Sequence, residues 1–327
     1  MEAITGDVIA EAFGLAGPIG RLHPLPQRGF VRAWRLRTGS GQVLIKNFWP
    51  HDELPWQGSL ETAMELQQRA VRTGIDTPEP IMPVEPVFGS VGRVEGHGLF
   101  RAYPYIEHRP LADEDVAGWL GQTLAGIHRL WPLEARPAPN WWYGQDPPLP
   151  DDQWRAWLDE GEQAGTCWAP ALRQHLDLVL EQSDQVITTF DTSPPYVISH
   201  LDVEPQNVLI TDGHPVLIDW DSAGGESVPL ETAYVLVGFA RRHRDPVDRI
   251  RHSHRAYRRA GGAALPDRPQ LLDREIGRHL ASIATALSGF YAGGHRPEQI
   301  RERIDRLPAV VARARAGEEL ITEALFR

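Results

Sequence analysis

The 327-residue sequence has one cysteine, Cys167, and one lysine, Lys46. A lone thiol excludes an internal disulfide and any metal site built from several cysteines. The missing lysines say more: 33 residues are Lys or Arg, and all but one are arginine. A chain that uses arginine wherever positive charge is needed keeps lysine where a compact ammonium fits and a planar guanidinium does not. Long apolar runs are absent too. None approaches the roughly 20 residues of a membrane span, and no charged-then-apolar leader is read, so a cytoplasmic protein without a membrane partner is expected. There is no Gly-x-x-x-x-Gly-Lys phosphate loop, no Gly-x-Ser-x-Gly elbow and no His-Glu-x-x-His zinc pair. The formal charge of −11 argues against nucleic acid as a partner.

What is present reads as two unlike halves of an α+β protein. In residues 1–105, Gly29 to Leu36 and Gln42 to Lys46 flank the turn Thr38-Gly39-Ser40-Gly41, a β-hairpin pattern. A helix is expected from a Ser59 cap to Gly74, and β-segments around Ile81–Val87 and Gly98–Tyr105. From 106 to 327 the pattern is mainly helical: Val116, Leu120, Leu124, Ile127 and Leu130 recur near the helical period. Further helices are expected over Leu172–Ile187 and from Val228 onward. The stretch from about 131 to 168 reads as an irregular insertion rich in Pro and Trp.

The chemistry is concentrated between Ser199 and Trp220. Asp212-Gly213 is a hairpin turn between two apolar runs, so Asn207 and Asp219 meet at the hairpin's open end. A carboxamide and a carboxylate together offer the hard oxygen ligands Mg²⁺ takes, leaving positions for phosphate and water. Asp202, in the loop entering the hairpin, can face the same spot. Phosphoryl transfer from a nucleotide needs this kind of positioning and charge neutralisation. Asp202 would orient the acceptor hydroxyl and take its proton, while Asn207 and Asp219 hold the metal.

The spacing His200-x-Asp202-x-x-x-x-Asn207 followed by Ile218-Asp219-Trp220 resembles the aminoglycoside phosphotransferase family of kinase-like small-molecule phosphotransferases. The resemblance covers most of the chain. It implies a protein-kinase-like bilobal fold, with an N-lobe over 1–105, a C-lobe over 106–327, and His200 supporting the catalytic loop. It makes Lys46 the nucleotide lysine and the run Arg101 to Pro110, with Tyr103 and Tyr105, the hinge that holds adenine. Leu120 to Leu130 is similar to a family helix that often reads Leu-Ala-x-Leu-His.

Such a lysine pairs with a glutamate on the following helix, and Glu65 and Glu61 both qualify, one turn apart. Arg28, in the turn Gln27-Arg28-Gly29-Phe30, is the candidate phosphate contact of the nucleotide-covering loop. Asp221 reads as structural or as a hairpin-end charge rather than a third metal ligand. In the insertion, Asp151, Asp152, Asp159 and Glu160 beside Trp154 suit a cationic or polyhydroxylated acceptor. The basic run from Arg241 to Arg259 reads as a solvated helix face or an anion-contact surface. The expected activity is transfer of the γ-phosphate of ATP or GTP, with Mg²⁺, to a hydroxyl of an aminoglycoside or another antibiotic, by a monomer or homodimer. The alternatives are a kinase of a small sugar, amino alcohol or amino acid, and a non-catalytic nucleotide-binding protein of the same fold. A protein kinase is disfavoured, because Trp220 follows Asp219 where Phe-Gly would stand and no Ala-Pro-Glu closes an activation segment.

Overall fold

Alternating burial along Val43, Leu44, Ile45, Lys46 and Asn47 makes this segment a strand with one face in the core and Lys46 on the other. In a computed structural model, residues 4–17, 19–26, 32–49, 57–137, 151–289 and 296–327 are described. The chain divides into two compact units, one comprising Met1–Glu114 with Pro205–Ala223, the other Asp115–Glu204 with Gly224–Arg327.

The first unit begins with α1 (Gly6–Phe13), capped by Thr5 and ended by Gly14 in the left-handed region at φ 60°. Its antiparallel sheet contains β1 (Leu22–Pro24), β2 (Arg32–Thr38) and β3 (Gly41–Trp49). After α2 (Gln57–Arg72) come β4 (Pro86–Phe88), β5 (Val91–Val94) and β6 (Gly98–Pro104). The strand order is β1-β2-β3-β6-β5-β4. Ile9 and Phe13 of α1 pack with Leu36, Val43, Ile45, Phe100 and Ala102 as its core. The expected hairpin is present in the register Thr38↔Gly41, and helix α2 is present. Of the segment expected as β around Ile81–Val87, Ile81 forms a bridge to Ala102 and Pro86–Val87 open β4; α1 and β5 were not anticipated.

A second sheet of this unit joins β7 (Arg109–Pro110) to the hairpin of β10 (Val208–Thr211) and β11 (His214–Leu217). Asp212 and Gly213 both have positive φ, 48° and 82°, as a two-residue hairpin turn requires. This corrects the boundary expected at 105/106. The hairpin belongs with the N-terminal half because β10 pairs with β7, the Leu217 N–H donates to the Asp76 carbonyl (2.9 Å) and the Trp220 indole donates to Thr77 Oγ1 (2.8 Å).

The second unit is mainly helical. It contains α3 (Ala117–Leu130), α4 (Asp151–Gln163), α5 (Ala169–Asp191), α6 (Val228–Ala240), α7 (Pro246–Arg259), α8 (Asp273–Leu287) and α9 (Pro297–Leu325). A small sheet orders β12 (Gly224–Ser227), β9 (Tyr196–Ser199) and β8 (Pro132–Leu133). Leu172, Phe190, Leu236, Ile250, Leu272 and Ile304 meet in its apolar core. α3 lies so close to α7 that a β-carbon on Gly121 would come within 2.4 Å of the Ser253 carbonyl oxygen. The insertion expected to be irregular therefore contains a helix, α4, whose apolar side joins this core. Its residues 138–150 lie outside the described residues.

Part of the basic run is used internally, while Arg242, Arg244, Arg255 and Arg259 are exposed. Arg249 pairs with Asp115 (2.5 Å), Arg251 donates to the Ala324 and Glu323 carbonyls (3.0 Å each), and Arg241 donates to Glu275. These arginines close helix ends and pair carboxylates within the unit.

Candidate active site

In the first unit the open end of the β10–β11 hairpin places Asn207 and Asp219 side by side. The strands pair from Val208↔Leu217, and the Ile218 N–H donates to the Asn207 carbonyl at 2.9 Å. Asp219 has φ 69°, an αL conformation that few non-glycine residues adopt, and opens a short 3₁₀ turn over Trp220–Ser222. The indole bond to Thr77 anchors that turn beside the loop after α2.

Lys46 reaches this turn from β3. Its ammonium donates to Asp219 Oδ1 at 2.7 Å and to Asp221 Oδ2 at 2.8 Å. Burial would push the lysine pKa down, but the charges of Asp221 and Asp219 outweigh it and hold Lys46 well above its usual range. Asp221 is held well below the carboxylate range: burial alone would raise it, and Lys46 and Arg101 win.

This pairing corrects the expectation for Glu65 and Glu61. Both project from the exposed side of α2, and Glu65 bonds Arg69, one turn along the same helix. The residue α2 turns inward is Gln67, two positions and about half a helical revolution from Glu65. Gln67 is 1% exposed and accepts from the buried Arg101 at 2.6 Å. Asp221, read from the sequence as structural or a hairpin-end charge, is a central member of the cluster. The Tyr103 hydroxyl, 3.4 Å from Gln67 Oε1, lies in the same network, and burial pushes its pKa up to about 12. Tyr105 is spent elsewhere: its N–H donates to the Gln42 carbonyl (2.9 Å) and its ring lies under Arg35. Arg28 lies outside the described residues.

The second unit holds Asp202. His200 is fully buried, and its Nδ1 accepts the Asp202 N–H at 3.2 Å. Between them Leu201 sits at φ 64°, a strained conformation for a bulky residue. Two buried charges hold that peptide in place. Glu231 accepts the Leu201 N–H (3.2 Å), and Arg274 donates to the Leu201 carbonyl. Glu231 in turn takes a bond from His128 Nε2 on α3 (2.9 Å), and Arg274 pairs with Glu226 (2.8 Å). Arg278, on α8, donates to Asp202 (3.4 Å), Glu204 and the Tyr234 hydroxyl. Sequence reasoning missed Glu231, Arg274 and Arg278. Only His128 carried a signal, as the end of the Leu-Ala-x-Leu-His-like helix.

The substrate residues fare differently from one another. Asp152, Asp159 and Glu160 are exposed on α4, and the Asp151 side chain lies outside the described residues. Trp154 is corrected: at 1% exposure it is core, packed edge-on to Trp157 with ring centroids 5.2 Å apart. With indoles at i and i+3 both turned inward, neither Trp154 nor Trp157 lies beside the acids that α4 presents to solvent. Among the described residues no group of three or more His, Cys, Asp or Glu is arranged to hold a metal, and no helix is long and apolar enough to cross a membrane.

No curated protein matches the sequence closely enough to count as a relative. Among solved structures, the chain is similar to spectinomycin phosphotransferase in complex with ADP and spectinomycin, at 16% identity and TM-score 0.65 over 98% of this chain and 100% of that one. It is similar to an amicoumacin kinase in complex with AMP-PNP and Ca²⁺, at 14% identity and TM-score 0.62, covering 97% and 92%. A choline/ethanolamine kinase family protein from Mesorhizobium loti aligns at 15% identity and TM-score 0.55, covering 94% and 93%. The family model described as the phosphotransferase enzyme family matches residues 26–228, more than half of the sequence. The chain has the kinase-like fold of these small-molecule kinases and belongs to the phosphotransferase enzyme family.

Proposed function

We propose that this chain transfers the γ-phosphoryl group of ATP or GTP, with Mg²⁺, to a hydroxyl of a small molecule. The observation that carries the reading is the Lys46 ammonium 2.7 Å from Asp219, at the hairpin end where the neighbouring Ile218 N–H bonds the Asn207 carbonyl. The donor set fits the metal. Two protein oxygens with room for phosphate and water is how Mg²⁺ is usually held at nucleotide sites, whereas dedicated all-protein cages are uncommon. Asn207 and Asp219 would hold the ion, which when bound supplies neutralisation of charge on the β- and γ-phosphates.

The remaining work falls to the chain's own side chains. Lys46 offers a compact cation to phosphate oxygens. Asp202 accepts the proton of the attacking hydroxyl. The new acceptor O–P bond forms as the bond from the γ-phosphorus to the bridging oxygen breaks, and the nucleoside diphosphate leaves with that oxygen. The peptide contacts of Glu231 and Arg274 hold the Asp202 loop before substrate arrives, so the geometry is prepaid in folding.

The acceptor we favour is an aminoglycoside or another antibiotic, in line with the resemblance and with the antibiotic kinases among the structural neighbours. One observation supports a second reading, a kinase of a small sugar, amino alcohol or amino acid. Arg278 already counters Asp202 and Glu204, so this acidic pair makes no demand for a polycationic acceptor. A coupled assay of diphosphate release with MgATP and MgGTP tests both, using a panel of aminoglycosides, spectinomycin, sugars and amino alcohols. Turnover with an acceptor, abolished by EDTA, is expected. Nucleotide binding without turnover across the panel would favour the non-catalytic alternative.

A further inference from the structure

Lys46 and Arg101 are direct cross-strand partners of β3 and β6. Like charges directly opposite on a sheet repel, and Arg101 is fully buried, so its charge must be matched inside the fold. Asp221 matches both cations with one carboxylate. Its Oδ1 accepts from the Arg101 guanidinium, and its Oδ2 accepts from the Lys46 ammonium at 2.8 Å. The guanidinium is fixed on its other sides, donating to Gln67 Oε1 (2.6 Å) and Ser90 Oγ (3.2 Å), with its carbon 5.0 Å from the centre of the Tyr103 ring. Asp221 cannot turn away without taking from the buried Arg101 the carboxylate that it pairs with. Asp219 is under no such constraint. Its side chain is 45% exposed against 22% for Asp221, and it meets the cluster through Lys46.

We propose that Asp221, pinned by Arg101, is the positioning residue for Lys46, and that Asp219 is the partner that gives Lys46 up when the nucleotide-bound metal arrives. The helix glutamate that usually orients such a lysine is replaced here by a carboxylate two residues beyond the metal aspartate. Helix α2 reaches the clamp indirectly, through Gln67 on Arg101 and Met64 on Ser90. The inference rests on the phosphotransferase reading in taking Lys46 to meet phosphate, but the Asp221 clamp itself exists in the nucleotide-free protein.

The single lysine makes the test direct. Protein grown with ¹³Cε,¹⁵Nζ-lysine gives one side-chain signal, and the exchange of its ammonium protons with water reports whether the cation is held. In the wild type the signal should stay in slow exchange without nucleotide and after Mg-ADP is added. Asp219→Asn should also keep it. Asp221→Asn should lose it, with about a tenfold weaker affinity for Mg-ADP, the effect of one charge-assisted hydrogen bond. Release of the lysine by Asp219→Asn but not by Asp221→Asn would overturn the proposal. So would wild-type lysine passing into fast exchange on Mg-ADP binding, a result that stands even if Asp221→Asn does not fold. Failure of the wild type to bind Mg-ADP at all would instead contradict the phosphotransferase reading, while the nucleotide-free signals of the variants still decide the clamp.

Discussion

Glu231 accepts the backbone N–H of Leu201 at 3.2 Å, one residue before Asp202, while its other oxygen takes a bond from His128 at 2.9 Å. A buried carboxylate on α6 thus ties the proposed base to α3 through a peptide held at positive φ. Burial alone would raise the Glu231 pKa, but the hydrogen bond and charge of His128 and the charge of Arg274 carry it below the ordinary 4.5.

The sign of that shift makes a prediction. A carboxyl whose folded pKa is depressed contributes stability that is full above its ordinary value and fades as pH falls through the lower folded value. Glu231→Gln should cost about 2 kcal/mol near neutral pH, since it removes a charge from a buried network. Urea unfolding from pH 7 downward should show wild type and variant converging in acid, below the ordinary glutamate range. A gap that stayed constant with pH would contradict the assignment.

Lys46→Arg keeps the charge and follows the chain's own habit of using arginine. A point ammonium fits between two carboxylates at 2.7 and 2.8 Å, and a planar fork does not. The variant should lose about a hundredfold in kcat/KM for nucleotide, the loss of roughly 3 kcal/mol of transition-state stabilisation, with little change in melting temperature. Steady-state kinetics beside a thermal melt checks both halves.

Gly121→Ala should destabilise the helical unit by about 2 kcal/mol, because the added methyl overpacks the α3–α7 contact. If α3 is displaced, His128 moves off Glu231, so activity should fall by more than the loss of folded protein explains. Calorimetry with activity per folded molecule separates the two effects.

Arg278→Ala removes the cation that faces Asp202 and Glu204 from α8. Nucleotide affinity, which the proposal assigns to the other unit, should be unchanged while kcat falls, by about tenfold for the loss of a charge-assisted contact that positions the base. An equal loss in nucleotide binding would show that Arg278 acts through general stability.

Much of this site was legible because its parts are close in sequence. His200 and Asp202 lie in one loop, and Asp212-Gly213 marks the turn that brings Asn207 and Asp219 to one end of a hairpin. Lys46 could be found for a different reason: the arginine bias left it standing alone. What could not be read depends on long-range packing. The choice between Glu61, Glu65 and Asp221 as the lysine's partner rests on which side of α2 faces the sheet, and Gln67 holds that position. Glu231, Arg274 and Arg278 are 29 to 76 residues away from Asp202 and belong to no local pattern. Trp154 misled because acids next to tryptophans look the same in sequence whether the indoles face solvent or core.

Of all the measurements, Mg²⁺-dependent transfer from [γ-³²P]ATP and [γ-³²P]GTP to the acceptor panel, run on wild type and Asp202→Ala side by side with nucleotide affinity, tests the central claim most directly. The account predicts labelled product with the wild type, at least a hundredfold less with the variant, as befits loss of a general base, and nucleotide binding nearly unchanged. Undiminished transfer by Asp202→Ala would contradict it.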